Sequence, residues 1–139
     1  MSEEANMNEY CVYELMTAEV VTCSPDESLL NVVKTISSKH FSCLVVVEGD
    51  VPVGIITERD LVEIFSETLN GVTWDNLEIK HFMTSPIITI TEGMSLHDAV
   101  ALSRSKKIRH IPVVNAGNKL VGILTQTDII EGYYYNSDI

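Results

Sequence analysis

Three things are scarce in this chain, and each scarcity closes off a class of protein. Cysteine occurs three times in 139 residues, as Cys11, Cys23 and Cys43. The count is odd and no pair has CxxC spacing, so neither a disulfide framework nor a zinc site is expected. Cys23 and Cys43 are expected to be buried, inert thiols, with Cys11 at a surface or interface. Basic residues are also few: 9 Lys and Arg stand against 20 Asp and Glu, a net charge of -11. So acidic a chain repels nucleic acid and anionic membranes, and neither is expected as a partner. Long apolar runs are missing too, with nothing near the ~18 residues that a membrane span requires. Met1 to Glu9 is acidic and polar, unlike a signal peptide. The expected location is cytoplasmic.

What the chain does have is a sequence written twice. Leu15-Met16-Thr17 returns 67 residues later as Phe82-Met83-Thr84. Gly54-Ile55-Ile56-Thr57-Glu58-Arg59-Asp60 returns 68 residues later as Gly122-Ile123-Leu124-Thr125-Gln126-Thr127-Asp128. Between these anchors, Cys43 to Val47 aligns with His110 to Val114, and one residue is gained where Glu48-Gly49-Asp50 faces Asn115-Ala116-Gly117-Asn118. The repeats span 11–69 and 81–132, joined by a linker over 70–80. A unit of about 60 residues buries too small a fraction of its surface to be comfortable alone. Two halves packed around a pseudo-two-fold axis are therefore expected.

Each repeat reads strand, helix, strand, strand, helix, an α/β pattern. In the first, Val20 to Thr22 is extended and Ser24-Pro25-Asp26-Glu27 carries helix-start signals. Leu29, Leu30, Val33 and Ile36 form the apolar stripe of the helix. Cys43 to Val47 reads as a strand covered on both faces. Gly49-Asp50 turns the chain into a strand over 51–56, and Leu61, Phe65 and Leu69 give the closing helix its buried face. In the second, strands are predicted over 87–90, 111–114 and 120–124, and a helix over 95–106 with Leu96, Val100 and Ser103 on one face. The last helix starts near Gln126. Asn70-Gly71 marks a helix stop, and Trp74 reads as a plug over the seam between repeats. Tyr133-Tyr134-Tyr135 suits an interface.

The two Gly-x-x-Thr-x-x-Asp segments carry two readings. In one, Thr57 and Thr125 cap helices, Asp60 and Asp128 complete the capping boxes, and the glycines permit close backbone approach. In the other, the helix start is an anion site, the threonine hydroxyl bonds a phosphate or sugar, and the aspartate accepts from two ribose hydroxyls. Charge-assisted bonds of that kind contribute about 1.5–3 kcal/mol each before ordering costs. The densest positive patch, Arg104, Lys106, Lys107 and Arg109, partly complements a helix C-terminus. Arg109 lies just beyond that helix and is the member best placed for a ligand. Arg59 reads as solvated or salt-bridged. His40, His81 and His97 lack metal-ligand spacing and read as surface or packing residues, while His110 could serve a ligand or a structural bond. No nucleophile with a base, paired acids or metal set is assembled, so an enzyme is not expected.

Taken together, Leu15-Met16-Thr17, Phe82-Met83-Thr84, the run from Ile108 to Val114 and both Gly-x-x-Thr-x-x-Asp segments resemble a tandem pair of cystathionine β-synthase (CBS) domains, a Bateman module. The resemblance covers roughly residues 11–131. It implies two β-α-β-β-α repeats, a regulatory role, adenosine ligands (AMP, ADP, ATP, sometimes S-adenosylmethionine) between the repeats, and pairing into homodimers. Carried over by residue, it implies that Thr57 and Asp60 hold phosphate and ribose. Arg109 and His110 reach in from the other repeat, and Val20, Val21 and Thr22 line the adenine. A second cleft would use Ile87, Ile88, Thr89, Thr125 and Asp128. It is the poorer one, because Ser42 and Cys43 stand where the first cleft has Arg109 and His110. Magnesium could accompany the nucleotide, and the output would pass to an effector protein. Two rivals remain open: a structural or protein-interaction module without nucleotide, and an S-adenosylmethionine sensor.

Overall fold

The computed structural model describes residues 10–39, 41–67 and 76–134. Leu69, Asn70-Gly71, Trp74, His40 and Tyr135 lie outside the described residues, as do the side chains of Tyr133 and Tyr134. The first repeat runs through helix α1 (Val12–Leu15), β1 (Thr22–Cys23), α2 (Leu29–Lys39), β2 (Cys43–Glu48), β3 (Val51–Thr57) and α3 (Glu58–Glu67). The second opens with a 3-10 turn (Ile79–His81). It continues with β4 (Ile90–Thr91), α4 (Leu96–Lys106), β5 (His110–Val114), β6 (Leu120–Thr125), α5 (Gln126–Ile129) and a π turn (Ile130–Tyr134). Each repeat contributes a three-stranded sheet, β1-β2-β3 and β4-β5-β6, with the first pair parallel and the second antiparallel. Among the described residues, no helix is long and apolar enough to cross a membrane.

The strands form where apolar pattern dictates. Leu44, Val45 and Val46 are buried in succession, as a strand covered on both faces requires. In β3, Pro52, Gly54 and Ile56 face inward and their neighbours are half-buried, a period of two. Each hairpin carries a bulge next to the motif glycine: Val46 pairs with Gly54 and Val47 with Pro52, while Val113 pairs with Gly122 and Val114 with Leu120. The extra residues, Val53 and Val121, lie at the hairpin end of each strand, where a bulge locally increases twist. The hairpin turns differ as their sequences require. Gly49 takes φ 63° in the short one. In the longer one, Asn118 takes the left-handed conformation at φ 63°, and the Asn115 side chain accepts from Gly117 N–H and Lys119 N–H, both at 3.0 Å.

Several boundaries depart from the sequence expectations. The strand expected over 20–22 is β1 at Thr22–Cys23, and the one expected over 87–90 is β4 at Ile90–Thr91. Only there is the parallel neighbour in register, Thr22 with Val45 and Ile90 with Val113. Helix α2 starts four residues later than the Ser24-Pro25 signal implied. Ser24 to Glu27 forms a turn, closed by Glu27 N–H to the Ser24 carbonyl at 3.1 Å, and the cap is Ser28, whose hydroxyl accepts from Asn31 N–H at 3.2 Å. Ser95 caps α4 in the same way, accepting from Asp98 N–H at 3.1 Å. On α2 Leu29 and Ile36 are buried as expected, with Val32 in place of Val33, and on α4 Leu96 and Ser103 are buried as expected, with Ala99 in place of Val100. On α3 the buried residue is Ile64, while Phe65 is 59% exposed.

The chain forms two compact units, and neither is a contiguous repeat: residues 1–20 join 88–139, and 21–87 form the other. In the first unit, Val12 and Leu15 of α1 are buried with Ile90, Leu96, Ile111, Val113 and Leu124 of the second repeat. In the other, Ile79 from the second repeat's opening turn is buried with Leu29, Val32, Leu44 and Ile56. The backbone bonds that dock these leading segments match pairwise. Leu96 N–H donates to Tyr10 C=O (2.8 Å) as Leu29 N–H does to Leu77 C=O (2.7 Å), and Val12 N–H donates to Met94 C=O as Ile79 N–H does to Glu27 C=O, both at 2.9 Å. Lys80 adds an ionic clasp within its unit, 3.1 Å from Asp26 Oδ1 and 3.4 Å from Glu78 Oε2. Its hydrogen bond holds the Asp26 carboxyl below the usual range and the Lys80 ammonium above its own.

Candidate ligand-binding site

Both Gly-x-x-Thr-x-x-Asp segments sit where a strand becomes a helix, β3 into α3 and β6 into α5. In the first, Asp60 N–H donates to Thr57 Oγ1 (3.2 Å) and Thr57 N–H donates to Asp60 Oδ2 (2.9 Å). In the second, the same reciprocal pair joins Thr125 and Asp128 at 3.1 and 3.0 Å. Each is a full capping box. All four side chains are half-buried. The helix starts are also met by the residues just before β2 and β5: Glu58 N–H donates to Ser42 C=O (3.0 Å) and Gln126 N–H to Arg109 C=O (3.2 Å). Two of the N–H groups at the α3 start, those of Glu58 and Asp60, are therefore engaged by the chain itself. The hydroxyl proton of Thr57 remains available for donation, since its oxygen acts as acceptor in the box.

The leading segments explain the motif glycines and the Met-Thr anchors together. Thr17 pairs with Ile123 on β6 (N–H to C=O in both directions at 2.9 Å), and Thr84 pairs with Ile55 on β3 (2.9 and 3.2 Å). This lays Met16 over Gly122 and Met83 over Gly54, where any Cβ would run into the methionine sulfur. The glycine is required by close approach of a second segment, not by a strained φ. Methionine and glycine are thus two halves of one contact, drawn from opposite repeats.

One difference separates the two copies. Thr17 Oγ1 donates to Asp128 Oδ1 at 2.8 Å, so both oxygens of that carboxylate are engaged within the chain. Asp60 Oδ2 is engaged by Thr57, and among the described residues no donor reaches Asp60 Oδ1. Asp60 also borders a cavity of ≈ 220 Å³, shared with Glu63, Ile64, His81 and Phe82. Sequence reasoning misses Glu63 and His81 as neighbours of the site: nothing in the linear order brings an exposed histidine of the second repeat's opening turn beside α3.

The other expected site residues fall as follows. Val21 and Thr22 lie with Thr57, Asp60 and Ile87 in one unit. Val20, Ile88, Thr89, Arg109, His110, Thr125 and Asp128 lie in the other. Within its unit His110 pairs with Thr125 across β5 and β6, as Cys43 pairs with Thr57 across β2 and β3. Arg109 is exposed. Arg59 meets Glu63 one turn on, at 3.7 Å, as a surface ion pair. Arg104 and Lys106 occupy the last turn of α4, and Lys107 takes the left-handed cap at φ 56°. Among the described residues no cluster of His, Cys, Asp and Glu could hold a metal ion. Burial raises the Cys23 thiol to about 12 and the Cys43 thiol to about 11. Both are therefore poor nucleophiles.

The chain belongs to the CBS domain family, which it matches twice, over residues 12–67 and 79–135. An uncharacterized protein of Methanopyrus kandleri is 36% identical over 127 residues, which is 90% of this chain and 63% of that protein. An inosine-5'-monophosphate dehydrogenase of Methanocaldococcus jannaschii is 29% identical over 88% of this chain, but over only 23% of its own length. The chain thus spans less than two thirds of these relatives. A solved structure of CBSX2 in complex with AMP superposes with a TM-score of 0.77 at 25% identity, covering 92% of this chain and 98% of that one.

Proposed function

We propose that this tandem CBS module binds an adenosine nucleotide, using Thr57 and Asp60 of the first repeat with Arg109 and His110 of the second, and acts as a non-catalytic regulatory element. The observation that carries the reading is Asp60: a half-buried carboxylate, fixed by its capping box through one oxygen, with the other unpaired among the described residues. Such a group can accept from a ribose hydroxyl without first breaking a bond of its own. Likeness to CBSX2, solved with AMP, supports the ligand class. Arg109 supplies a guanidinium suited to phosphate, and Val20, Val21 and Thr22 would flank the base. The alternative set at Thr125 and Asp128, with Ile87, Ile88 and Thr89, is the weaker acceptor.

The nucleotide would act by shifting an assembly equilibrium through its differential affinity for the two states. A homodimer, an effector protein as the recipient of the signal, and magnesium alongside ATP complete the proposal. Titrating the chain with AMP, ADP, ATP and S-adenosylmethionine, with and without magnesium, tests it. Arg109→Ala should weaken AMP about tenfold or more, in line with loss of a charge-assisted bond, and leave S-adenosylmethionine unaffected. Equal loss for both ligands, or none for either, would overturn the phosphate role.

A further inference from the structure

Positive charge is scarce in this chain and concentrated at one place. Of 9 Lys and Arg, Arg104, Lys106, Lys107 and Arg109 fall together where α4 ends and β5 begins, and all four are exposed. No Asp or Glu occurs over residues 99–127. Among the described residues none of the four cations pairs with a carboxylate; the ion pairs formed are Arg59 with Glu63, Lys80 with Asp26 and Glu78, and His97 with Asp98. The twin helix shows that the fold does not need them. Helices α2 and α4 are both 11 residues long, yet α2 closes on Ser37, Ser38 and Lys39, with one Lys or Arg in its last turn. A single cation there complements the helix dipole, and further ones repel each other, Arg104 and Lys107 being one turn apart. The matching stretch of the first repeat, residues 32–60, also keeps acids, Glu48, Asp50 and Glu58.

We propose that Arg104, Lys106 and Lys107, with Arg109 at their edge, form a docking surface for a short, acidic segment of a partner protein. Clustered, unpaired cations recognise carboxylate-rich motifs by charge complementarity. The occupant is short because the chain as a whole carries a net charge of -11, which repels an extended polyanion beyond the patch. A brief run of Asp and Glu touches residues 104–109 alone. The patch lies wholly within one of the two compact units. Arg109 is also the phosphate group of the nucleotide reading, so the docking surface is tested through the other three and stands without that reading.

The test is fluorescence anisotropy of the full chain with a labelled oligoglutamate peptide of about eight residues. Saturable binding that weakens as salt rises is expected. The combined variant Arg104→Gln, Lys106→Gln and Lys107→Asn should lose about tenfold or more in affinity, and Lys34→Gln on the twin helix should stay within about twofold of the parent. Asparagine suits the left-handed cap at Lys107, where φ is 56°, and a parent-like Tm shows that the variant folds. Lys106→Glu alone, an exposed single change, should cost about threefold or more and decides the matter if the combined variant melts early. No saturable binding, or equal binding by parent and patch variants, would overturn the proposal. Tighter binding of an oligothymidylate of equal charge through the same three residues would overturn it in favour of nucleic acid. A gain of about tenfold in peptide affinity on changing Glu3, Glu4 and Glu9 to Gln would make the chain's own first residues the occupant, and self-association abolished by the combined variant would make it a second copy; either overturns the partner segment.

Discussion

Single residues in this chain serve contacts that the local sequence does not announce. Gly54 and Gly122 stand in the same motif, yet they should tolerate a methyl group differently. Around Gly54 the obstruction is a flexible methionine side chain, while at Gly122 it includes the carbonyl oxygen of Thr17. Gly122→Ala is expected to cost about 1–3 kcal/mol, as overpacking does, and Gly54→Ala less, measured by urea denaturation. The cysteines make a second residue-scale prediction. The thiols of Cys23 and Cys43 are raised by burial from 9.0 to about 12 and about 11. Below 9 both folded and unfolded thiols hold their protons, so the groups leave stability unchanged there. Above 9 the unfolded chain ionises first, and stability should fall with rising pH between about 9 and 12. Cys23→Ala should flatten the upper part of that fall, which pH-dependent chemical denaturation can follow.

At the scale of elements, helix caps show both what was legible and what was not. Reciprocal Thr and Asp capping at α3 and α5 follows from the motif alone, and both boxes form. The start of α2 did not follow, because Ser24-Pro25-Asp26-Glu27 imitates a cap and instead closes a turn. The needed signal lay in the repeat itself: Ser28 is the counterpart of Ser95, which the sequence marks as a helix start in the second copy. Ser28→Ala and Ser95→Ala should each destabilise by about 0.5–2 kcal/mol, and Ser24→Ala by markedly less, on thermal or urea unfolding. Continuous runs such as Leu44-Val45-Val46 betray a doubly covered strand from sequence. The choice of Val32 over Val33 depends on where α2 begins, and so was lost with its cap.

At the scale of the whole molecule, the repeat was plain but the division of labour between its copies was not. Met16-Thr17 and Met83-Thr84 were visible as anchors. Nothing in their spacing says that each docks on the sheet of the opposite repeat, because the docking bonds join residues far apart in sequence, Thr17 with Ile123 and Thr84 with Ile55. The consequence is that neither copy holds a complete core. A fragment restricted to residues 76–139 lacks Val12 and Leu15, both buried against Ile90 and Leu96. Each such side chain contributes about 1.5–3 kcal/mol by burial. That fragment should fail to show cooperative thermal unfolding, and adding a peptide of residues 1–20 should restore it in part. The Asp60 carboxylate was legible as a candidate acceptor, and the second cleft was ranked lower from Ser42 and Cys43; the bond from Thr17 to Asp128 was not legible, since it joins residues far apart in sequence.

The most direct measurement is a calorimetric titration of the full chain with AMP, run beside Asp60→Asn. Saturable binding by the parent and a loss of about tenfold or more in the variant, with its melting temperature nearly unchanged, is the predicted result. Binding of equal strength in both, or none in a folded parent, would contradict Asp60 as the nucleotide acceptor and leave its capping box as the whole of its role.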